Sequence, residues 1–318
     1  MSVVSSLGAA LAAAVVTFIA VRVGEARCPE GLRDRSADAK GKPRIGGLAI
    51  LAGLLVALPF EPDAWRFLVP TFLAGAIGLH DDLTDSSPVG RLLALAALSA
   101  TAAALCFGDR GTDLGAPFFA AVFYGPVVLA VVVGFDFVDG LDGLASGVAL
   151  VALTPLLWIT PSPLLAAAVG AVAIYVGASN RPPARTLLGD AGSNALGMLV
   201  GLAVIDATTR PGAESAAALG VVAIPLLDLA TTVIRRLRAG DLTSSERGHM
   251  HHKLLALHGR QDLAVLELLG VATICAGAGV VGTLAPSRGP DAVLGGAIAL
   301  AILLFRTRAT RPAPPDSR

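Results

Sequence analysis

A chain of 318 residues, 54% hydrophobic and only 15% charged, falls well short of the roughly 25% charge that soluble domains carry, which excludes an ordinary water-soluble fold. Its 24 basic and 24 acidic residues give a formal net charge of zero, so nothing in the charge balance points to nucleic acid. Cys28, Cys106 and Cys275 stand far apart, without metal or disulfide spacing, and read as small apolar fillers.

A helix needs roughly 17–25 apolar residues to cross a bilayer. Eleven apolar runs follow one another, the second and third shorter than that, at 2–23, 45–60, 66–80, 89–107, 118–136, 142–160, 162–179, 191–207, 213–234, 263–284 and 290–306. No basic residue precedes the first run and Arg22 follows it, so it reads as a span with its N-terminus outside rather than as a cleavable leader. No strand-like alternation of any length occurs. The expected fold class is therefore all-α, a polytopic integral membrane protein of about eleven transmembrane helices. Residues 1–306 form one membrane domain, 108–117 is an external turn, and the polar, proline-rich 307–318 is a disordered cytoplasmic tail. With the N-terminus outside and the C-terminus inside, 20 basic residues fall on the inner side and four outside, as the positive-inside rule requires.

That orientation gathers the polar motifs on one face. Carriers place ionisable groups near the midplane; a one-sided cluster points to a membrane-embedded enzyme with a water-soluble cytoplasmic substrate.

The first inner connection ends in KGKPRIGG, residues 40–47. Lys40, Lys42 and Arg44 suit phosphate oxygens, although plain positive-inside anchoring explains them equally. Next comes GLHDDLTD, 78–85, with Asp81 and Asp82 adjacent at a helix end and Asp85 one turn beyond Asp81. Adjacent carboxylates repel unless a cation, a proton or water relieves them, and Mg²⁺ is the hard cation suited to a phosphate site. A solvated loop with capping acids is the bland account. Arg91, further on, is placed to meet a phosphate.

Residues 131–147 read VVVGFDFVDGLDGLASG, with Asp136, Asp139 and Asp142 at a spacing of three. A carboxylate in so apolar a run costs several kcal/mol unless paired, hydrated or metal-bound. A turn explains one Asp-Gly pair but not three acids. In 180–193, NRPPARTLLGDAGS, Asp190 either caps the following helix or ligates a metal whose phosphate partner meets the free N–H groups at the helix start. In 246–252, ERGHMHH, His249, His251 and His252 are three of the five histidines. No Cys or Glu completes a zinc spacing, and imidazolium with Arg binding phosphate fits equally well. Asp228, within an apolar run, is a further intramembrane acid, and a buried pair with Arg235, seven residues on, is the bland account.

In this order, PRIGG, GLHDDLTD, DGLDGLASG, NRPPARTLLGDAGS, IPLLDLATTVIRR and HMHHKLLALHG resemble the polyprenyl-phosphate N-acetylhexosamine-1-phosphate transferase superfamily, glycosyltransferase family 4, from about residue 33 to 260. The resemblance implies an integral membrane enzyme of ten or eleven helices. It would move an N-acetylhexosamine-1-phosphate, chiefly GlcNAc-1-phosphate, from a UDP-sugar to undecaprenyl or decaprenyl phosphate. UMP is released, as the first lipid-linked step of a cell-envelope glycopolymer. It implies Mg²⁺, with Mn²⁺ as a substitute, a plasma-membrane location with the site on the cytoplasmic face, and compatibility with a homodimer. Asp81 and Asp82 match the paired catalytic aspartates. Asp190 matches the main metal ligand, with this chain's own Asp136 placed beside it on the metal side, and Asp139, Asp142, Asn180, Arg185, His249, His251 and His252 fall on the nucleotide and sugar side. Lys40, Lys42 or Arg44 supplies the first-loop cation for the lipid phosphate. The His-Met-His-His form resembles the GlcNAc-1-phosphate transferases, since the phospho-MurNAc-pentapeptide translocases more often show three consecutive histidines. Asp136 stands where the family usually has Asn, an added charge expected to alter metal affinity or substrate choice.

Two other classes compete. A CDP-alcohol phosphatidyltransferase needs Asp-Gly-x-x-Ala-Arg, and the Arg is missing after Asp139-Gly140. An ion-coupled transporter would not gather its acids on one face.

Overall fold

The computed structural model describes residues 3–33, 41–84, 86–109, 116–209, 220–240, 248–284, 287 and 289–309. Twelve α-helices lie among them: α1 Val3–Arg27, α2 Gly46–Leu54, α3 Trp65–Thr84, α4 Pro88–Phe107, α5 Ala116–Val138, α6 Leu144–Ile159, α7 Pro163–Tyr175, α8 Gly189–Thr209, α9 Ala223–Ala239, α10 Met250–His258, α11 Gln261–Leu284 and α12 Gly289–Ala309. Among the described residues there is no strand, only isolated bridges pairing Arg33 with Pro43 and Arg44 with Leu187.

Six segments are long and apolar enough to cross a membrane: Val3–Arg27, Pro88–Phe107, Ala116–Val138, Pro163–Asn180, Gly189–Thr209 and Gln261–Gly282. The chain is a helical membrane protein. The other apolar runs fall on α2, α3, α6, α9 and α12. Prolines 70, 126 and 155 lie inside α3, α5 and α6, as packed membrane helices tolerate. The outer face of α1 shows Leu7, Leu11, Val15, Phe18 and Ile19, a stripe that water would not tolerate and lipid solvates.

Burial orders the bundle. In the apolar window of α8, 94% of residues are buried, against 17% in that of α1. The central α8 packs on α2, α3, α4, α5 and α6, while α1 rests on α2 and α7. The helix starts follow local chemistry. Ser87 caps α4 by accepting from the Gly90 N–H at 3.0 Å, ahead of Pro88. Ser162 caps α7, accepting from Leu164 N–H at 3.1 Å.

Several sequence expectations shift. The His motif was read as part of a connection, yet Met250–His258 forms α10, too short and polar for hydropathy to signal. Asp139 lies in the connection where it was expected, whereas Asp142, read as the first residue of a span, lies in the same turn ahead of α6. The last helix runs to Ala309, past 306. Lys40, Asp85, most of the 108–117 turn and the tail from 310 lie outside the described residues.

Candidate functional site

One end of the bundle collects the polar groups. The C-terminal ends of α3 and α5 carry Asp81, Asp82 and Asp136, the first turns of α4 and α8 carry Arg91 and Asp190, and the α5–α6 turn carries Asp139 and Asp142. Glycines let the backbones close up. A Cβ on Gly78 would lie 2.0 Å from the Asp190 carbonyl oxygen, so α3 touches the start of α8. Gly189, at φ +74°, makes the left-handed turn into α8 that other residues resist. The basic segment is clamped beside it. Leu187 N–H donates to the Pro43 carbonyl at 2.8 Å, and Gly46 and Gly47 N–H donate to the Leu187 and Leu188 carbonyls at 3.0 and 2.9 Å.

Arg91 is the hub. Its Nη1 donates to Asp81 and, at 2.8 Å, to Asp190, while Nη2 donates to Asp136 at 3.1 Å. One guanidinium thus serves three carboxylates. Asp81 also accepts from the Ser86 N–H at 2.9 Å. Asp82 turns the other way. It accepts from Arg44 Nη1 and from the Ala191 N–H, each at 3.1 Å, so it ties the first basic segment to the start of α8.

A second layer flanks this hub. Asp142 accepts from Lys42 Nζ at 3.2 Å and from the Ala184 N–H at 2.9 Å. Burial, with the carboxylates of Asp136 and Asp82 nearby, pushes the Asp139 carboxyl up to about 8, so it holds a proton at neutral pH. The buried Asn180 amide spans Ser146 Oγ, from which it accepts, and the Thr186 carbonyl, to which it donates at 3.0 Å. Both polar atoms of Asn180 therefore serve the frame. Arg185 is largely exposed, with Nε 3.9 Å from Glu25 Oε1.

The His motif closes the site from α9 and α10. His249 Nδ1 lies 2.9 Å from Asp228 Oδ2, whose other oxygen accepts from the Met250 N–H at 2.9 Å. Asp228 therefore pairs with His249 and the start of α10. The bland account, an Asp228–Arg235 pair, does not hold, because Arg235 donates to the Gly248 carbonyl at 2.8 Å instead. The His249 and His251 rings stack 5.6 Å apart at 7°, and His252 lies 4.2 Å from His251. His251 is buried, its Nε2 has no hydrogen-bond partner, and a Cβ on Gly140 would lie 2.0 Å from that atom. Burial first, then His252, pushes the imidazole down to about 3. His251 is neutral at pH 7, so the imidazolium reading does not hold for it.

Asp190 lies within the first turn of α8, with its side chain on Arg91, so the capping account does not hold. Lys42 and Arg44 both reach the site. Sequence reasoning missed Ser86, Glu25 and the fit of Gly140 to His251; only Glu25, an acid closing an apolar helix, carried a signal.

A helical membrane protein with a carboxylate-rich, cation-bridged centre at one end of its bundle is thus defined. Residues 64–208 match the family model for Glycosyl transferase family 4. The chain is 30% identical over 272 residues to the undecaprenyl-phosphate alpha-N-acetylglucosaminyl 1-phosphate transferase of Escherichia coli (strain K12), covering 75% of this chain and 72% of that one. It is 27% identical over 372 residues to the decaprenyl-phosphate N-acetylglucosaminephosphotransferase of Mycolicibacterium smegmatis, covering 97% and 89%. The probable undecaprenyl-phosphate N-acetylglucosaminyl 1-phosphate transferase of Bacillus subtilis (strain 168) is 25% identical over 293 residues, covering 84% and 80%. The chain belongs to glycosyl transferase family 4, with the polyprenyl-phosphate N-acetylglucosamine-1-phosphate transferases.

Proposed function

We propose that this protein transfers GlcNAc-1-phosphate from UDP-GlcNAc to a polyprenyl phosphate. An oxygen of the acceptor phosphate forms a bond to the β-phosphorus of the UDP-sugar, the bond to the α-phosphate bridging oxygen breaks, and that electron pair leaves with UMP. Such a reaction needs positioning and charge neutralisation more than covalent help. The convergence of Asp81, Asp136 and Asp190 on Arg91, beside Asp82 with Arg44, carries this reading.

Among the described residues no group of three His, Cys, Asp or Glu is arranged to hold an ion, because Arg91 stands where the three carboxylates meet. Their hard oxygen donors nevertheless suit Mg²⁺, or Mn²⁺ in its place. We assign Asp190 and Asp136 to hold it, where it would neutralise the diphosphate. Asp81 and Asp82 orient the attacking phosphate, and Lys42, Arg44 and Arg91 supply fixed positive charge. Asp139 and Asp142, with the turn they share, and the neutral His251 shape the nucleotide and sugar side.

The excess of basic residues on the site's connections supports an N-out, C-in arrangement of eleven spans in the plasma membrane, with the site on the cytoplasmic face. The test is transfer by purified protein from a panel of radiolabelled UDP-sugars to decaprenyl and undecaprenyl phosphate. UMP release with a GlcNAc-bearing lipid is expected with Mg²⁺. Absence of lipid product from every UDP-N-acetylhexosamine would sink the proposal.

A further inference from the structure

Glu267 is an acid within the apolar span Gln261–Gly282 of α11 and stands apart from the carboxylate cluster. It lies six residues beyond Gln261, roughly 9 Å into the helix at 1.5 Å per residue. An acid at such a depth is costly and calls for partners. Both come from other helices. Its Oε2 lies 2.6 Å from Nε2 of His258, the last residue of α10, and its Oε1 lies 3.2 Å from Nη1 of Arg306, near the end of α12. The Glu267 side chain is only 17% exposed. The exposed Arg260–Asp262 pair in the α10–α11 connection is separate from it.

A helix of nine residues such as α10 is too short to hold itself and depends on what it packs against. A carboxylate from a neighbouring helix secures each of its ends. Asp228 of α9 takes the start, through His249 and the Met250 N–H. Glu267 of α11 takes the finish, through His258. Between them Leu254 is buried in the same core as Leu268. Gly259, at φ +62°, turns the chain from α10 into α11, which packs against it.

His251, Leu254 and His258 fall at i, i+3 and i+7 and share one face of α10. His258 is thus roughly 10 Å beyond His251 along that face. The fit at the other end is tight, since a Cβ on Gly140 would lie 2.0 Å from His251 Nε2. Any tilt of α10 released at His258 moves His251 and His252 relative to the α5–α6 turn.

We infer that Glu267 is a positioning residue for the histidine motif. By holding His258 it fixes the angle of α10 and so sets His251 and His252 against the turn that carries Asp139 and Asp142. Arg306 steadies the carboxylate from α12. This assignment rests on the transferase reading and adds what keeps the nucleotide side in place.

The test uses the purified full chain in phosphatidylcholine nanodiscs. Glu267→Leu gives α11 a side chain that lipid accepts. Arg306 is 42% exposed and an imidazole can release its proton, so neither partner is left as a buried charge, and melting is expected to hold. KM for UDP-GlcNAc should rise about tenfold, within what a misplacement of about 1 Å can cost, with KM for polyprenyl phosphate unchanged. Diethyl pyrocarbonate, mapped by mass spectrometry, should modify the buried His251 about tenfold faster than in the wild type, as local opening of α10 exposes it. His258→Leu should reproduce both effects, and the double variant should add little, because the two side chains form one contact. Arg306→Leu, which frees α12 alone, should leave both readouts near those of the wild type. Unchanged KM and unchanged protection of His251 in Glu267→Leu overturn the inference. So does an equal effect in Arg306→Leu, and so does a loss of melting with both KM values altered, which marks Glu267 as structural only. If sugar is transferred while His251 stays protected in Glu267→Leu, only the positioning role falls. If His251 opens in Glu267→Leu but the wild type uses no UDP-sugar, the hold on the motif stands and the transferase reading falls instead.

Discussion

Nε2 of His251 lies so close to Gly140 that a Cβ on the glycine would sit 2.0 Å from it. The α5–α6 turn, which carries Asp139 and Asp142, and the His motif on α10 are thus fitted to each other across more than a hundred residues of sequence. Gly140→Ala must push the imidazole away or shift the turn. Misplacement of about 1 Å can cost about 100-fold in rate, and a loss of that size in kcat/KM for UDP-GlcNAc is expected, with membrane insertion and melting kept. If the contact is the cause, adding His251→Ala to Gly140→Ala costs little beyond the single changes. Unchanged turnover in Gly140→Ala would break the link between turn and motif.

Arg91 supplies the second prediction. Removing one partner of a buried ion pair costs about 3–5 kcal/mol because the other charge stays behind, and here three carboxylates stay behind. Arg91→Met should lower the melting temperature of the detergent-purified protein markedly. Asp136→Asn in the same chain should recover part of the loss by removing one of the stranded charges. A double variant no more stable than Arg91→Met alone would show that Asp136 does not depend on this arginine.

The two-dimensional order of this molecule was legible in the sequence, and its pairing was not. Long apolar runs marked the helices because lipid tolerates nothing else at that length. The five polar segments were visible because charge inside such runs is costly. Partner choice lay beyond reach. Asp228 looked like a partner for Arg235 by helical spacing alone, but α10, invisible to hydropathy, brings His249 to Asp228. The glycines at 78 and 140 gave no hint of what presses on them, since their reason lies in α8 and α10. Asp136 stood out as an extra charge, and only the fold supplies its counter-ion in Arg91.

Two buried groups tie stability to pH with opposite signs. His251 titrates at about 3 when folded and at about 6.5 when unfolded. The unfolded chain therefore binds more protons in that window, and stability is lost as pH falls through it. Asp139 does the reverse. Its folded value of about 8 exceeds the unfolded value of about 3.9, so the folded state binds more protons and stability is lost as pH rises through that window. Between about pH 4 and 6.5 the two effects oppose each other, so the wild type is expected to lose stability only between about pH 6.5 and 8. Melting curves from about pH 4 to 9 are expected to show Asp139→Asn abolishing that loss and His251→Gln extending it down to about pH 4. A wild-type loss that persists unchanged in Asp139→Asn would exclude this carboxyl as its source.

Asp82 and Asp190 allow the most direct test of the chemistry, because each can lose its charge without losing its shape. Asp190→Asn keeps the first turn of α8 and one contact to Arg91 but removes a hard anionic donor from the group assigned to Mg²⁺. Asp82→Asn keeps an acceptor for the Ala191 N–H or for Arg44 but not for both, because each bonds a different carboxylate oxygen and the amide NH2 cannot accept. Each substitution should reduce UMP release from UDP-GlcNAc and polyprenyl phosphate by at least about 1,000-fold, the scale on which charge stabilisation acts in such sites. The two should differ in metal response. Added Mg²⁺ should recover part of the activity of Asp190→Asn, whose defect is in holding the cation, and none of that of Asp82→Asn, whose defect is in orienting the acceptor. Full turnover in either purified variant would remove that residue from the site, and identical Mg²⁺ titrations would remove the division of labour between them.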